Sequence, residues 1–534
     1  MKVKQIYDVL IIGAGHNGLT CAGYLARKGL SVKVVERRNI VGGAAVTQEF
    51  HPGFRNTTCS YALSMLAPKI IEELELEKYG LHIYTDEHPM LALSTNGDYM
   101  FINDDYEAFD RALAKQDPGN IEGFEKMSTI LEQIADVMRD VAVETPANLG
   151  GGLMDLWRAG KLSNNLRKLT PELQAEMYRL FTMSIRDYLK RFIKGDMIQA
   201  IESWASQVGN FQSVRAGGTA YVLLHHMFGI VNGKKGEWAI VKGGMGGITQ
   251  SMAKSAEAFG VDIELEAPVA NVLIENDKAV GVRLEDGREF SARAVAANVH
   301  PQLLFQKMVG DEYVPATFKE NIDNYRSNSG TFRMNVALHE LPKFTALKDI
   351  PEEDYRSYLQ GTMLFADSLD YYEDAYQDAQ ALGWARKPVI NAGIQSIIDD
   401  SLAPEGKHVM SLFCQHFNKE LPDGRSWDEV KDEVAQHIIE HVNKYYAPNF
   451  KEAVVGYMAL SPLDLEREYG LVGGDIFHGR LDPDQLYSMR PAPGYADYRM
   501  PVKGLYLCGS GAHPGGGVSG YPGHNAAREI IKDL

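Results

Sequence analysis

Residues 7–36, YDVLIIGAGHNGLTCAGYLARKGLSVKVVE, decide the fold. Residues 7–12 form an apolar run rich in β-branched side chains, the composition of a strand buried on both faces. It runs into Gly13-Ala14-Gly15-His16-Asn17-Gly18, a GxGxxG. The stretch after it, LTCAGYLARKG, reads as a helix closed by Gly29. Residues 30–35 form a second buried strand, which ends in Glu36. In such a βαβ unit each glycine has its own task. Gly13 permits the tight turn, Gly15 lets backbone amides approach a pyrophosphate, and Gly18 allows close helix–strand packing. The helix N-terminus presents free N–H groups and partial positive charge to the diphosphate. Glu36 lies eighteen residues beyond Gly18, where a carboxylate accepts hydrogen bonds from a ribose diol. A ligand-free turn requires neither the second strand nor the acid in register. The segment is a dinucleotide site in an α/β fold.

The next residues are Arg37-Arg38-Asn39-Ile40-Val41-Gly42-Gly43-Ala44-Ala45. Here the chain resembles the flavoprotein superfamily of glutathione reductase-like and amine oxidase-like enzymes, whose second strand runs from an acid and a basic residue into paired glycines. The resemblance implies FAD rather than a nicotinamide, with Arg37, Gly42, Gly43 and Ala44 beside it.

The far end agrees. Residues 504–510 (GLYLCGS) form a short apolar strand, followed by GAHPGGGVSGYPGH and then a helix, NAAREIIKDL. Seven glycines between 509 and 523 mean that backbone passes close to something flat or charged. A helix N-terminus near 518–523 would set positive potential beside the anionic edge of a reduced flavin. GSGAHPGGGVSGYPGHNAA strongly resembles the C-terminal flavin segment of phytoene desaturases and their relatives. Together with GAGHNGL it looks like the branch that contains the carotenoid ketolase-type flavoproteins. The resemblance covers both ends and residues 238–300. It implies that Gly509, Ser510, Gly517 and Val518 close the FAD site and that Val269 offers its backbone to the adenine. One departure stands at Arg55-Asn56-Thr57-Thr58-Cys59-Ser60, after Gly53-Phe54, where many relatives carry acid–x–Gly. Flavin binding therefore transfers better than substrate chemistry.

Residues 238–248 (WAIVKGGMGGI) lead into a helix, and hairpin signals follow at Asn276-Asp277 and Asp286-Gly287. The GGMGG has no buried strand before it and no acid-terminated strand after it, so it reads as a helix-entry turn, not a second nucleotide site. The organisation expected is a Rossmann-like FAD-binding domain of the glutathione reductase/amine oxidase type (1–90, 236–300 and 456–534). It is interleaved with a mixed α+β substrate domain (91–235 and 301–455). In the latter, TFRMNVAL, VINAGIQS and HVMSLFCQHF are strand candidates, WDEVKDEVAQHIIEHVNKYY is a helix, and DSLDYYEDAYQDAQ is a solvated acidic face.

The 534 residues carry 54 Lys+Arg against 71 Asp+Glu, a net charge of −17 that repels phosphate backbones. General nucleic-acid binding is thereby disfavoured. Residues 151–195 reverse the trend with nine Lys/Arg and four Asp/Glu. There Leu173, Met177, Leu180, Phe181, Ile185, Tyr188, Leu189 and Phe192 recur at helical spacing, as a core-facing stripe or as a membrane-surface element admitting a lipophilic substrate. The four cysteines, Cys21, Cys59, Cys414 and Cys508, form no CxxC and fit a reducing compartment. The N-terminal lysines and apolar run mimic a signal peptide, but Asp8 interrupts it, and no run is long enough to span a bilayer. A cytoplasmic protein, peripheral to a membrane through 151–195, is expected.

No nucleophile triad and no metal box can be assembled; His225-His226 point about 100° apart on a helix. His478 and Arg490 precede the flavin-closing strand and are weak catalytic candidates, better read as holding an irregular loop. The expected activity is hydride transfer, with FAD, on a lipophilic, carotenoid- or isoprenoid-like small molecule. Desaturation, isomerisation and ketolase-like oxidation look alike at this level. A flavin amine oxidase and an FAD-stabilised scaffold without turnover are the alternatives.

Overall fold

The computed structural model describes residues 6–85 and 89–534; Lys2 and Lys4 of the leader-like stretch lie outside the described residues. Ile6–Ile12 (β1) runs parallel to Val32–Val35 (β2) on one side and to Glu289–Ala297 (β3) on the other. His16–Arg27 (α1) joins β1 to β2, which completes the βαβ unit. All four residues of β2 are buried, as a strand covered by helices on both faces must be. The hairpin Val269–Glu275 and Lys278–Leu284 adds to the first half of β3, while Leu505–Leu507 pairs with its last three residues. The C-terminal strand thus takes the edge of β3 that the hairpin leaves. Asp262–Glu264 closes the other edge beside β2.

The second sheet is built from the middle of the chain. Thr331–Leu338 (β4), Trp384–Gly393 (β5), His408–Phe417 (β6) and Val454–Leu460 (β7) lie in the order β7-β4-β6-β5, extended by Thr362–Phe365, Met90–Leu93 and Tyr99–Ile102. The expected strands and the helix Trp427–Tyr445 are all present. Every residue of β4 is buried. Phe332, Met334, Val336 and Leu338 pack with Val430, Val434 and Ile438 of that helix. By the two-residue period of a strand, Thr331, Arg333, Asn335 and Ala337 occupy the opposite face. That face meets the segment 54–61: Asn56 donates to Asn335 at 2.9 Å, and Tyr61 to Asn391 of the neighbouring β5 at 2.7 Å.

Three boundaries differ from those expected. A division at 456 falls inside β7, a strand of the second sheet. Residues from 301 on were expected with the substrate domain, yet Leu304, Phe305, Phe318 and Ile322 share the core of β1. Conversely, Phe477, Leu481 and Leu486 pack with the helices of 91–235. Crossings of this kind carry no compositional signal, because both layers draw on the same apolar residues.

Of the two readings of the basic segment, the core-facing one describes its apolar stripe. Leu180, Ile185, Tyr188 and Leu189 are buried, so the apolar stripe faces the core. Its cations are largely neutralised by acids from elsewhere: Arg158 meets Asp497 and Glu529, Lys161 meets Glu144, Lys168 meets Asp140, Arg186 meets Asp370 and Lys194 meets Asp117. The apolar exposure lies instead on Leu153–Leu166, where Leu153 is 86% and Trp157 58% exposed. No helix among the described residues is long and apolar enough to cross a membrane.

Candidate functional site

A cavity of about 520 Å³ runs between the two sheets. Its first wall is the βαβ turn. Gly13, with φ +94°, makes the bend, and a Cβ on Gly18 would lie 2.2 Å from the Gly13 carbonyl oxygen, so only glycine lets α1 sit this close to β1. No side chain caps α1, which leaves its first-turn N–H groups for a ligand. The paired glycines pack directly on this turn. Gly15 and Gly42 form a parallel bridge, the Gly42 amide donates to the Ala14 carbonyl at 2.9 Å, and a Cβ on Gly43 would meet the Gly15 Cα at 3.3 Å.

Glu36 stands at the end of β2, buried. Its carboxylate accepts from the amides of Ala14 at 2.8 Å and Arg38 at 3.0 Å. The Glu36 carbonyl accepts from Ala267, which brings 267–270 and hence Val269 to the same wall. Arg37, Glu285 and Glu468 complete this end, with the Arg38 guanidinium 4.6 Å over the Tyr469 ring.

The glycine-rich C-terminal segment forms the opposite wall. The Asn17 amide donates to Ser510 Oγ at 3.1 Å, tying the two ends of the chain together. Gly517, Val518 and Ser510 line the cavity with Gly43, Ala44 and His16. A Cβ on Gly517 would fall 2.4 Å from the Met65 sulfur, and one on Gly516 2.7 Å from Phe477 Cα. Helix Tyr521–Asp533 follows and packs so closely on α1 that a Gly523 Cβ would sit 2.1 Å from the Asn17 oxygen.

Gly18, Gly42 and Gly509 do not line the cavity; they shape the turns behind it. His478 does line it, with φ +55°. Burial pushes its imidazole down to about 3, and its Nδ1 has no partner among the described residues. Arg490 does not reach the cavity. Fully buried, it donates to the carbonyls of Phe477, His478, Gly479, Gln485 and Ser510, so it holds the loop that carries His478. The GGMGG is a helix-entry turn: the amides of Met245 and Gly246 donate to Thr57 and Thr47 hydroxyls. Cys21 and Cys508 meet in the core as free, fully buried thiols; burial pushes Cys21 up, away from the reactive thiolate.

Several wall residues escaped the sequence reading. Asn298, just past β3, accepts through Oδ1 from the Gly15 and Gly18 amides at 3.2 Å and so braces the turn. Tyr61, Trp238, Phe413 and His226 make an aromatic end: the Tyr61 ring lies 6.0 Å from Trp238 and 5.6 Å from Phe413, and His226 stacks on Trp238 at 6.3 Å. They come from four separate segments, and no local pattern marks them. A carbonyl only accepts, so His226 Nδ1 carries the proton bound to the Val222 oxygen at 2.9 Å, leaving Nε2 a bare acceptor. His225 points away and binds the Gly516 carbonyl at 3.0 Å.

The cavity suits a dinucleotide with an aromatic ring system. One end is a carboxylate–guanidinium cluster, the middle a glycine cradle, the other end apolar. Buried polar atoms without partners, His16 Nε2 and Arg38 Nη1, belong to residues of its wall. That is the mark of a missing ligand rather than of a closed core.

Comparison with known proteins agrees. Residues 18–332 match the family described as "Flavin containing amine oxidoreductase". The chain is 37% identical to pyridine nucleotide-disulfide oxidoreductase domain-containing protein 2 of Rattus norvegicus, over 100% of this chain and 94% of that one. It is 24% identical to one of the limonene dehydrogenase polypeptides of Castellaniella defragrans (100% and 96% covered) and 24% identical to the chloroplastic prolycopene isomerase of Daucus carota (99% and 80%). Among solved structures, cyclohexylamine oxidase from Brevibacterium oxydans shares the fold with a TM-score of 0.59 at 15% identity, covering 99% of this chain and 100% of that one. The dinucleotide turn makes the family's flavin FAD, in line with the resemblance to phytoene desaturase-related flavoproteins. This chain therefore belongs to the flavin-containing amine oxidoreductase family, as an FAD-dependent oxidoreductase.

Proposed function

We propose that the chain removes hydride from, or returns it to, a lipophilic, isoprenoid-like substrate seated at the aromatic end of the cavity. One observation carries this reading: the wall there is Tyr61, Trp238, Phe413, Val208 and Ile476, while the carboxylates of the wall, Glu36, Glu285 and Glu468, gather around Arg37 at the far end. An ammonium substrate needs a carboxylate or an electron-rich cage close to its nitrogen. The rings of this wall form such a cage, but the Arg333 guanidinium, 5.3 Å from the Tyr61 ring, repels a cation there. Two relatives support the isoprenoid class by name, limonene dehydrogenase and prolycopene isomerase.

In this reading Gly13, Gly15 and the α1 N-terminus would hold the diphosphate, Glu36 the ribose and Val269 the adenine. Gly43, Ala44, Ser510, Gly517 and Val518 would surround the flavin ring. FAD supplies the hydride acceptor; the protein supplies orientation and a dry setting. Loss of hydride leaves a proton to remove, and His226, neutral through burial with a bare Nε2, is an acceptor on that wall. Anaerobic titration of the FAD-loaded protein tests the proposal. Isoprenoid hydrocarbons and alcohols are expected to bleach the flavin; primary amines and NADPH are not. Bleaching by amines alone would replace this reading with an amine oxidase, and no bleaching by any class would leave a scaffold.

A peripheral membrane contact is proposed as well, on changed grounds. With most of the segment's cations paired, residues 149–157 offer apolar side chains instead: Leu149, Leu153, Met154, Leu156 and Trp157 are exposed together. Co-sedimentation with phosphatidylcholine vesicles should be insensitive to salt and should fall at least about tenfold in a Leu153→Ser/Trp157→Ser variant, since each buried side chain contributes about 1.5–3 kcal/mol. Binding that needs anionic lipid and vanishes at high salt would contradict it.

A further inference from the structure

Among the described residues, the buried cation Arg333 has no counter-ion. It sits in β4, 1% exposed, behind Tyr61 and Phe413 of the cavity wall, and does not itself line the cavity. Across the sheet its register partner is Phe413 of β6, whose own partner on the other side is Asn391 of β5. Nη2 donates to Ser411 Oγ at 2.8 Å; Nε and Nη1 have no acceptor among the described residues. The guanidinium lies 5.3 Å from the Tyr61 ring and 5.4 Å from the Phe413 ring, both on the cavity wall. Asn391 repeats the pattern: Oδ1 accepts from the Tyr61 hydroxyl, while Nδ2 finds no acceptor among the described residues.

The other deeply buried arginines are handled differently. Arg158 faces three carboxylates, and Arg490 is ringed by carbonyl oxygens. The titratable groups that Arg333 feels are Tyr61, Cys59 and Cys414, and burial pushes all three up, so they stay neutral. An arginine does not escape burial by losing its proton. An uncompensated guanidinium in a dry wall is costly, and the floor beneath the aromatic end offers N–H donors without an acceptor.

We infer that Arg333, assisted by Asn391, anchors an anionic oxygen group, a carboxylate, at one end of an otherwise apolar substrate whose body lies along Tyr61, Trp238 and Phe413. The inference rests on the reading that the aromatic end is the substrate site. It narrows the class from hydrocarbons to amphiphilic acids: the Tyr61 and Phe413 rings, 5.6 Å apart, lie against the guanidinium, so the anion has to displace one of them to reach it. No bond is made or broken at Arg333; it is a binding residue that fixes which end of the molecule goes inward.

The test uses the FAD-loaded protein and the perturbation of its flavin spectrum by geranic acid, geraniol, geranyl phosphate and limonene, without turnover. The acid is expected to bind about 10–100-fold more tightly than the alcohol, the gain of one charge-assisted contact. Arg333→Gln should erase that difference by weakening the acid more than the alcohol; Arg333→Lys should keep part of it. Thermal unfolding of the ligand-free variants supplies the second readout. Removing an uncompensated charge should leave the melting temperature unchanged or raise it, whereas a purely structural arginine would lower it. Equal affinity for acid and alcohol, or a preference for the phosphate, overturns the inference, as does a large loss of stability in both variants. Failure of every isoprenoid to perturb the flavin would instead sink the substrate reading beneath it.

Discussion

Replacing Arg490 by Met is expected to destabilise the chain by about 3–5 kcal/mol and to strip it of FAD, although Arg490 is not on the cavity wall. The guanidinium is fully buried and donates at 2.7 Å to the Phe477 carbonyl and at 2.8 Å to that of Ser510. The first oxygen belongs to the loop that carries His478, the second to the glycine-rich segment. One side chain therefore joins the two strips of backbone that close the cavity. Met fills the volume but leaves several buried carbonyls unpaired. Lys should restore little, because a single ammonium cannot fork toward oxygens on two sides. The buried carboxylate of Asp475, which accepts from the Phe477 amide at 2.8 Å, would also lose its nearby cation. Flavin absorbance per chain and the thermal midpoint measure both effects. A variant that keeps wild-type FAD content and stability would show that the loop is held by other contacts.

Gly18→Ala is expected to abolish FAD retention and to cost more than about 3 kcal/mol. The added methyl would lie 2.2 Å from the Gly13 carbonyl oxygen and 2.9 Å from the Asn298 amide, both fixed parts of the turn. Relief requires α1 to lift away from β1, which carries its N-terminus off the diphosphate position. Gly160→Ala is the matched control. That glycine lies inside helix Leu153–Leu166 with nothing within 4 Å of its missing Cβ, so alanine should stabilise by about 0.5–1 kcal/mol and leave FAD in place. If both variants bind FAD as the wild type does, the turn is looser than its geometry states.

These two sites show how differently residues announce themselves. Gly18 was legible because the turn, helix and strand that need it are consecutive in the chain. Arg490 carries no such mark: its acceptors are scattered between 477 and 510, and nothing in MRPAPG names them. The basic run 151–195 shows the converse. Its charge was counted within the segment, while the acids that neutralise it arrive from as far away as Glu529.

The sequence by itself determined the α/β fold and the dinucleotide turn, while FAD came from the family resemblance and the pairing of Leu505–Leu507 with β3 from the structure. The first two rest on short-range requirements: two-sided burial of a strand, a turn only glycine can make, a helix that must start beside a phosphate. The tertiary structure alone decided what sits opposite the cofactor. Tyr61, His226, Trp238 and Phe413 converge, and Arg333 lies behind them, because the register of the second sheet sets Arg333, Phe413 and Asn391 side by side from three separate strands. Pairing of distant strands is settled by the burial of whole faces, and a cation's lack of a partner is a property of everything packed around it. Neither can be read one residue at a time.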